Sequence, residues 1–266
     1  MRAKRSLGQN FLVNAGIAEK ITAFADPVPD DHILEIGPGR GILTRILARS
    51  ASKVTAVEKD DSLFEKLTGE FVGQQGVTII HGDILECDLS ALIPKGTKIV
   101  ANLPYNIASQ LIIRLTDYAD QLSTVVVMVQ KEVAERICSL TGEREYSALS
   151  VLVSSAFDAV PGFIVGPNNF IPAPKVTSQV IKLLPRKIVI DQAPAPVFKK
   201  VVFQAFAQRR KMLKNSLLPL VHMDKDLLQD IAGEAQIDLS RRPQDLSSDD
   251  YHRLSISYNR RGTSEE

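Results

Sequence analysis

Cysteine is scarce in this chain of 266 residues, and net charge is nearly absent. The two cysteines, Cys87 and Cys138, lie far apart, and the histidines His32, His81, His222 and His252 show none of the short spacings that gather metal ligands. No metal site is expected. The cysteines read as core thiols of a reducing compartment rather than as a disulfide. No apolar run approaches the length of a membrane span, and the basic start is interrupted by Gly8, Gln9, Asn10 and Asn14 instead of leading into an apolar signal segment. The expected location is the cytoplasm. A balance of 32 Lys+Arg against 31 Asp+Glu, net +1, announces no polyanionic partner. The distribution of charge is more telling. No acid precedes Glu19, while Arg2, Lys4 and Arg5 are basic, and from Arg186 to Lys214 eight basic residues stand against the single acid Asp191.

With 44% hydrophobic residues the chain can bury a full core. From about Asp31 to Leu184 short apolar runs alternate with amphipathic stretches, the pattern of a sheet wrapped by helices. The expected strands are His32 to Ile36, Lys53 to Val57, Val77 to His81, Lys98 to Ala101, Thr124 to Val129, Leu149 to Ala156 and Val176 to Leu183. Helical patterns such as Ile42, Leu43, Ile46, Leu47 and Leu63, Phe64, Leu67 lie between the earlier ones. The last two strands, separated by the loop Pro161 to Pro174, are expected to pair antiparallel. Prolines at 185, 194 and 196 break the pattern, so a domain boundary is placed there: 1–185, then 186–266. Helices follow at Val197 to Leu218, Asp224 to Ala235 and after Ser247, where Asp250 completes a capping box.

The chemistry concentrates at strand ends. Asn102-Leu103-Pro104-Tyr105 closes the run Lys98 to Ala101 and brings an amide, backbone carbonyls and an aromatic face to a sheet's carboxyl edge. Such a set suits a planar amine, whose two protons need acceptors and whose ring needs a flat surface. Adenine N6 fits. Gly37-Pro38-Gly39-Arg40-Gly41 follows the first strand and lets backbone approach a ligand closely. Glu58 ends the second strand, where a carboxylate can accept ribose hydroxyls, and Asp83 follows the third, where it can accept from an adenine amine. A dinucleotide is disfavoured because the turn reads Gly-x-Gly-x-Gly, without a third glycine three residues on. S-adenosylmethionine is the better ligand.

Together with Leu7-Gly8-Gln9-Asn10-Phe11-Leu12 and Phe170-Ile171-Pro172-Ala173-Pro174-Lys175-Val176, these motifs resemble those of the ribosomal RNA adenine dimethyltransferases, most closely the bacterial small-subunit branch. The resemblance runs from Arg5 into the last helices. It implies an α/β fold, a Rossmann-like class I S-adenosylmethionine-dependent methyltransferase with a seven-stranded sheet, plus a small all-α C-terminal domain that binds RNA. Asn10 and Leu12 would close over the methionine end of the cofactor, Gly37 approach it by backbone, Glu58 hold the ribose, Asp83 the adenine, and Asn102 the region of the reacting methyl. The family's reaction converts two adjacent adenines in a hairpin loop near the 3′ end of small-subunit RNA to N6,N6-dimethyladenine, on assembly particles, with a monomeric enzyme expected. One departure is Asn14, where the family often carries Asp.

For catalysis, Asn102 Oδ1 and a carbonyl of Leu103 or Pro104 are the expected acceptors of the N6 protons, Tyr105 stacks on the base, and Phe170, set in a polar loop, closes its other face. The target must be unpaired or flipped. Arg209, Arg210, Lys211 and Lys214, on about one and a half helical turns, are the expected phosphate contacts. Arg241 and Arg242 are weaker candidates. Other readings are large-subunit resistance methyltransferases, which typically carry Ile at the position of Leu103, DNA adenine or protein glutamine methylation, which usually has Pro there, and an assembly factor without catalysis.

Overall fold

The computed structural model describes residues 9–187 and 191–261; Arg2, Lys4, Arg5, Leu7 and Gly8 lie outside them. The chain divides into two compact units, one built from residues up to Ala134 with Phe157–Pro185, the other from Glu135–Ala156 with the chain from Arg186 onward.

In the first unit the elements run β1 (Phe11–Leu12), α1 (Ala15–Ala25), β2 (His32–Ile36), α2 (Ile42–Ser50), β3 (Lys53–Glu58), α3 (Asp61–Glu70), β4 (Val77–His81), α4 (Leu89–Leu92), β5 (Thr97–Asn102), α5 (Ala108–Leu115) and β6 (Leu122–Gln130). Helices α6 (Lys131–Cys138) and α7 (Ala148–Ser154) follow, then β7 (Phe157–Val165), β8 (Phe170–Ile171) and β9 (Ser178–Pro185). Among the described residues, seven strands form one sheet in the order β4-β3-β2-β5-β6-β9-β7. The first five are parallel, and β9 runs antiparallel to both β6 and β7. Successive strands leave β2 in opposite directions, β3 on one side and β5 on the other. The switch point between β2 and β5 opens a crevice beyond their carboxyl ends. Residues Val125 to Val129 are buried without exception, as expected for a strand covered on both faces. On one face α1 and α2 pack Ile21, Ala25, Leu43 and Leu47 against Ile33, Val100 and Val126.

Six expected strands match the observed ones within two residues at their starts and ends. One differs. Leu149 to Ala156, expected as a strand, is helix α7, entered through a capping box in which the Ser147 N–H donates to Ser150 Oγ at 2.9 Å. Its β-branched Val151 and Val153 are buried on every side, so packing overrides their propensity. The strand sits instead at Phe157–Val165, and it is this strand that pairs antiparallel with β9. Pro161 and Gly162 mark a register shift within it, which an edge strand tolerates.

The second unit contains α7, α8 (Ala195–Phe206), α9 (Leu213–Ser216), α10 (Lys225–Ala235) and α11 (Ser248–Arg261). The expected capping box is present: Ser247 N–H donates to Asp250 Oδ2 at 2.9 Å and Asp250 N–H to Ser247 Oγ at 3.1 Å. The single helix expected over Val197 to Leu218 is broken, because the N–H groups of Leu213 and Lys214 donate to the carbonyls of Arg241 and Leu239 rather than to the preceding turn. Residues 207–212 form a turn. No helix among the described residues is long and apolar enough to cross a membrane.

Candidate cofactor and adenine site

The cleft at the switch point is built by four strand ends. Beyond β2 the backbone enters Gly37, Gly39 and Gly41 with φ of +65°, +59° and +77°, a conformation that glycine alone adopts without strain. A Cβ at Gly41 would stand 2.7 Å from Leu67 Cδ2. Glu58, at the end of β3, is only 5% exposed. Its Oε2 accepts the Gly39 N–H at 2.9 Å and its Oε1 the Asp60 N–H at 2.8 Å. Burial pushes this carboxyl up, while the two N–H donors pull it back. Glu58 thus braces the glycine turn, and each of its oxygens keeps acceptor capacity for a hydroxyl.

Asp83 follows β4. One of its oxygens accepts from the Lys59 ammonium and the other from the Leu85 N–H at 3.0 Å. Burial raises its pKa, but these donors hold it below the usual carboxylate range.

The β5 exit supplies the fourth corner. Asn102 Nδ2 donates to the Asn10 carbonyl at 3.3 Å, which directs Oδ1 to the acceptor role. The Leu103 N–H extends the ladder to the Met128 carbonyl at 3.1 Å. Pro104 lies beside Gly37, where a Cβ would stand 3.6 Å from Pro104 Cδ. The Tyr105 hydroxyl is 2.7 Å from Ser178 Oγ, which anchors the ring by its polar end. The chain segment over the opening is tied down twice, by that Asn10 contact and by Gln9 Nε2 donating to Asp60 Oδ2 at 3.2 Å. Leu12 is buried beneath it. Asn10, Leu12, Gly37, Glu58, Asp83, Asn102, Leu103, Pro104 and Tyr105 therefore line one cleft. Its empty volume, mouth included, is about 1090 Å³, at the top of the range of about 300–1,000 Å³ for ligand clefts.

Phe170 is not among the lining residues. It lies on β8 opposite Leu12 and is 3% exposed in the core with Val165 and Val180, while strand alternation turns its neighbour Ile171 outward. Asn14 caps α1 by accepting the Ile17 N–H at 3.3 Å and donates to Asn169 Oδ1 at 2.8 Å, a bond an ionised Asp could not make.

Glu35 is among the lining residues that the sequence reading did not single out. Glu35 on β2 is 1% exposed, its Oε2 has no partner, and burial, opposed by polar contact with Thr44, pushes its carboxyl up to about 8. An acid inside the apolar run His32 to Ile36, two residues before Gly37, was the available signal. The donor set fits S-adenosylmethionine: paired acceptors at Glu58 for ribose hydroxyls, Asp83 for an amine, and an orphaned carboxyl oxygen at Glu35 for an ammonium.

The basic candidates lie in the second unit. Arg209 is half-buried, its guanidinium donating to the Arg144 carbonyl and, at 3.3 Å, to Gln244 Oε1, so it fastens loops of its own unit. Arg210, Lys211 and Lys214 are exposed, in the turn and on α9 rather than on one helix.

Comparison with known proteins agrees with this architecture. Residues 1–260 match the family model described as ribosomal RNA adenine dimethylase. The ribosomal RNA small subunit methyltransferase A of Geobacter sulfurreducens is 40% identical over 260 residues, covering 96% of this chain and 94% of the relative. That of Methylococcus capsulatus is 38% identical over 258 residues, covering 96% and 98%. Among solved structures, a dimethyladenosine transferase from Plasmodium falciparum superposes with a TM-score of 0.80 at 26% identity, covering 95% of this chain and 98% of that one. The 23S rRNA methyltransferase ErmE superposes at 0.67 and 25%, covering 94% and 100%.

Proposed function

The chain belongs to the ribosomal RNA adenine dimethylase family, and from that premise we propose that it dimethylates the N6 amines of two adjacent adenines in the 3′-terminal hairpin loop of small-subunit ribosomal RNA, on assembly particles, as a cytoplasmic monomer. S-adenosylmethionine supplies a methyl group already activated on a sulfonium, so the chain's task is to position and desolvate. Glu58 takes the ribose, Asp83 the adenine of the cofactor, and the Asn10 to Leu12 segment covers its methionine end. Asn102 carries the reading: with Nδ2 engaged by Asn10, its Oδ1 accepts one N6 proton. A carbonyl of Leu103 or Pro104 accepts the other, and the nitrogen lone pair is drawn out of conjugation toward the methyl. Tyr105 packs on the target base, its ring held by Ser178. The base must be unpaired to reach this cleft, and a loop adenine costs least to extract.

The same reading divides the work between the units, cofactor and adenine in the first, RNA backbone in the second through Arg210, Lys211 and Lys214. The test is transfer of labelled methyl to small-subunit assembly particles, followed by primer extension across the 3′ hairpin. Two adjacent stops that depend on the protein are expected. Stops only in large-subunit RNA would reassign the target, and label without stops at adjacent adenines would remove dimethylation.

A further inference from the structure

Helix α8 buries Phe198, Val201, Val202 and Ala205 and leaves Phe203 49% exposed. The buried stripe already completes the helix's core contact, so packing does not call for an aromatic at 203. A single exposed apolar side chain is ordinary on a protein surface. Its setting is not. From Gln192 to Met223 the sequence holds no acid and six Lys or Arg. Lys199 and Lys200 precede Phe203 by one turn on the same helix face. After it come the exposed Arg210, Lys211 and Lys214, none of which takes part in an ion pair among the described residues. Gln204, the next residue, donates from Nε2 to the Ser216 carbonyl at 2.9 Å and so fastens the end of α8 to α9, folding the basic turn back beside it. Met212, 42% exposed, extends the apolar surface within the same turn.

An exposed ring in a basic stretch of chain that holds no acid matches one chemistry well. Single-stranded RNA offers, at every nucleotide, a phosphate for the cations and a π-face for the ring. A duplex hides its faces in the stack, and an acidic peptide would engage the cations without needing the ring. We propose that Phe203 is a stacking platform for an unpaired RNA base, with Arg210, Lys211 and Lys214 holding the adjoining phosphates. The proposal rests on the reading of the second unit as the RNA-binding one and adds to it a contact with a base, outside the methylation cleft.

The chain contains no tryptophan, so Phe203→Trp places a single indole at the site. On titration with small-subunit assembly particles the indole emission is expected to be quenched and its access to acrylamide to fall. Phe203→Ala is expected to bind the particles about tenfold more weakly with an unchanged salt slope, because stacking releases no counterions, and Phe203→Leu should not restore affinity. Thermal melts equal to wild type establish that these exposed substitutions leave the fold intact. An indole that stays open to acrylamide in the bound state, an alanine variant with wild-type affinity, or a leucine variant that restores it would overturn the proposal. So would loss of self-association in Phe203→Ala by sedimentation, which would assign the face to a second copy of the chain. The underlying reading fails separately, if the wild-type chain does not bind the particles or if neutralising Arg210, Lys211 and Lys214 changes neither affinity nor salt slope.

Discussion

Glu58 braces a turn with the same carboxylate that is proposed to take the cofactor's ribose. Its removal should therefore act twice. Glu58→Ala is expected to weaken calorimetric affinity for S-adenosylmethionine by about 1.5 to 3 kcal/mol, the scale of charge-assisted hydrogen bonds, and to lower the melting temperature because the Gly39 and Asp60 N–H groups lose their acceptor. Unchanged affinity would take Glu58 out of the cofactor site. Asn102 is the opposite case: its proposed role is on the target amine, so Asn102→Ala should cut the single-turnover methylation rate at saturating RNA while changing cofactor affinity much less. Glu35 gives a pH dependence. Its folded carboxyl, pushed up to about 8, keeps a proton that the unfolded chain, at the ordinary value of 4.5, has already released. The folded state therefore binds more protons in that interval, and this group's contribution to stability falls as pH rises from about 4.5 to about 8 and is flat outside it. Glu35→Gln should remove that slope, and urea titrations from pH 5 to 8 should show the variant gaining on wild type, by on the order of 3 kcal/mol near neutrality. Parallel curves would show that Glu35 is ionised in the fold.

At the scale of elements, the glycine turn is the least replaceable part. Gly41→Ala must place a side chain at φ +77° with its Cβ 2.7 Å from Leu67 Cδ2, and a loss of about 1 to 3 kcal/mol in urea unfolding is expected. A wild-type midpoint would mean that the α2 entry relaxes freely. The turn, Glu58, Asp83 and Asn102 were all legible along the chain because each ends a strand of a parallel sheet, and repeated strand and helix units impose nearly even spacing on such ends. Phe170 was not legible in the same way. Which of two neighbours faces the core depends on the register of β8 against β1, and that register is set by residues some 160 positions earlier. Leu149 to Ala156 misled for a related reason: an apolar run buried on all sides has no period, so strand and helix look alike until the partner helices are known. The Ser147 capping box was the only local hint, and it is a weak one.

For the whole molecule, residues 135–156 belong with the chain after Arg186. The boundary at Pro185 was readable from its prolines, but the earlier excursion was not, since nothing in its composition separates it from the sheet. A fragment ending at Pro185 keeps every cleft residue, yet strands Tyr146 without the Leu246 carbonyl it donates to at 3.1 Å and without Phe206 beside it. Sedimentation should show that fragment associating where the full chain does not, while its folded fraction still binds cofactor. A monodisperse fragment would mean that the excursion folds by itself.

The sheet order also carries a consequence for synthesis. Strand β9 lies between β6 and β7, so β7 leaves the ribosome before the only strand it pairs with in the described sheet exists. Until Pro185 has been made, the edge of β6, with Val125 to Val129 all of interior character, stays uncovered. The nascent chain passes through a window, from roughly residue 130 to 185, in which its most apolar strand is open to water and to any other strand nearby. Slow decoding inside that window should harm yield more than the same delay placed after it.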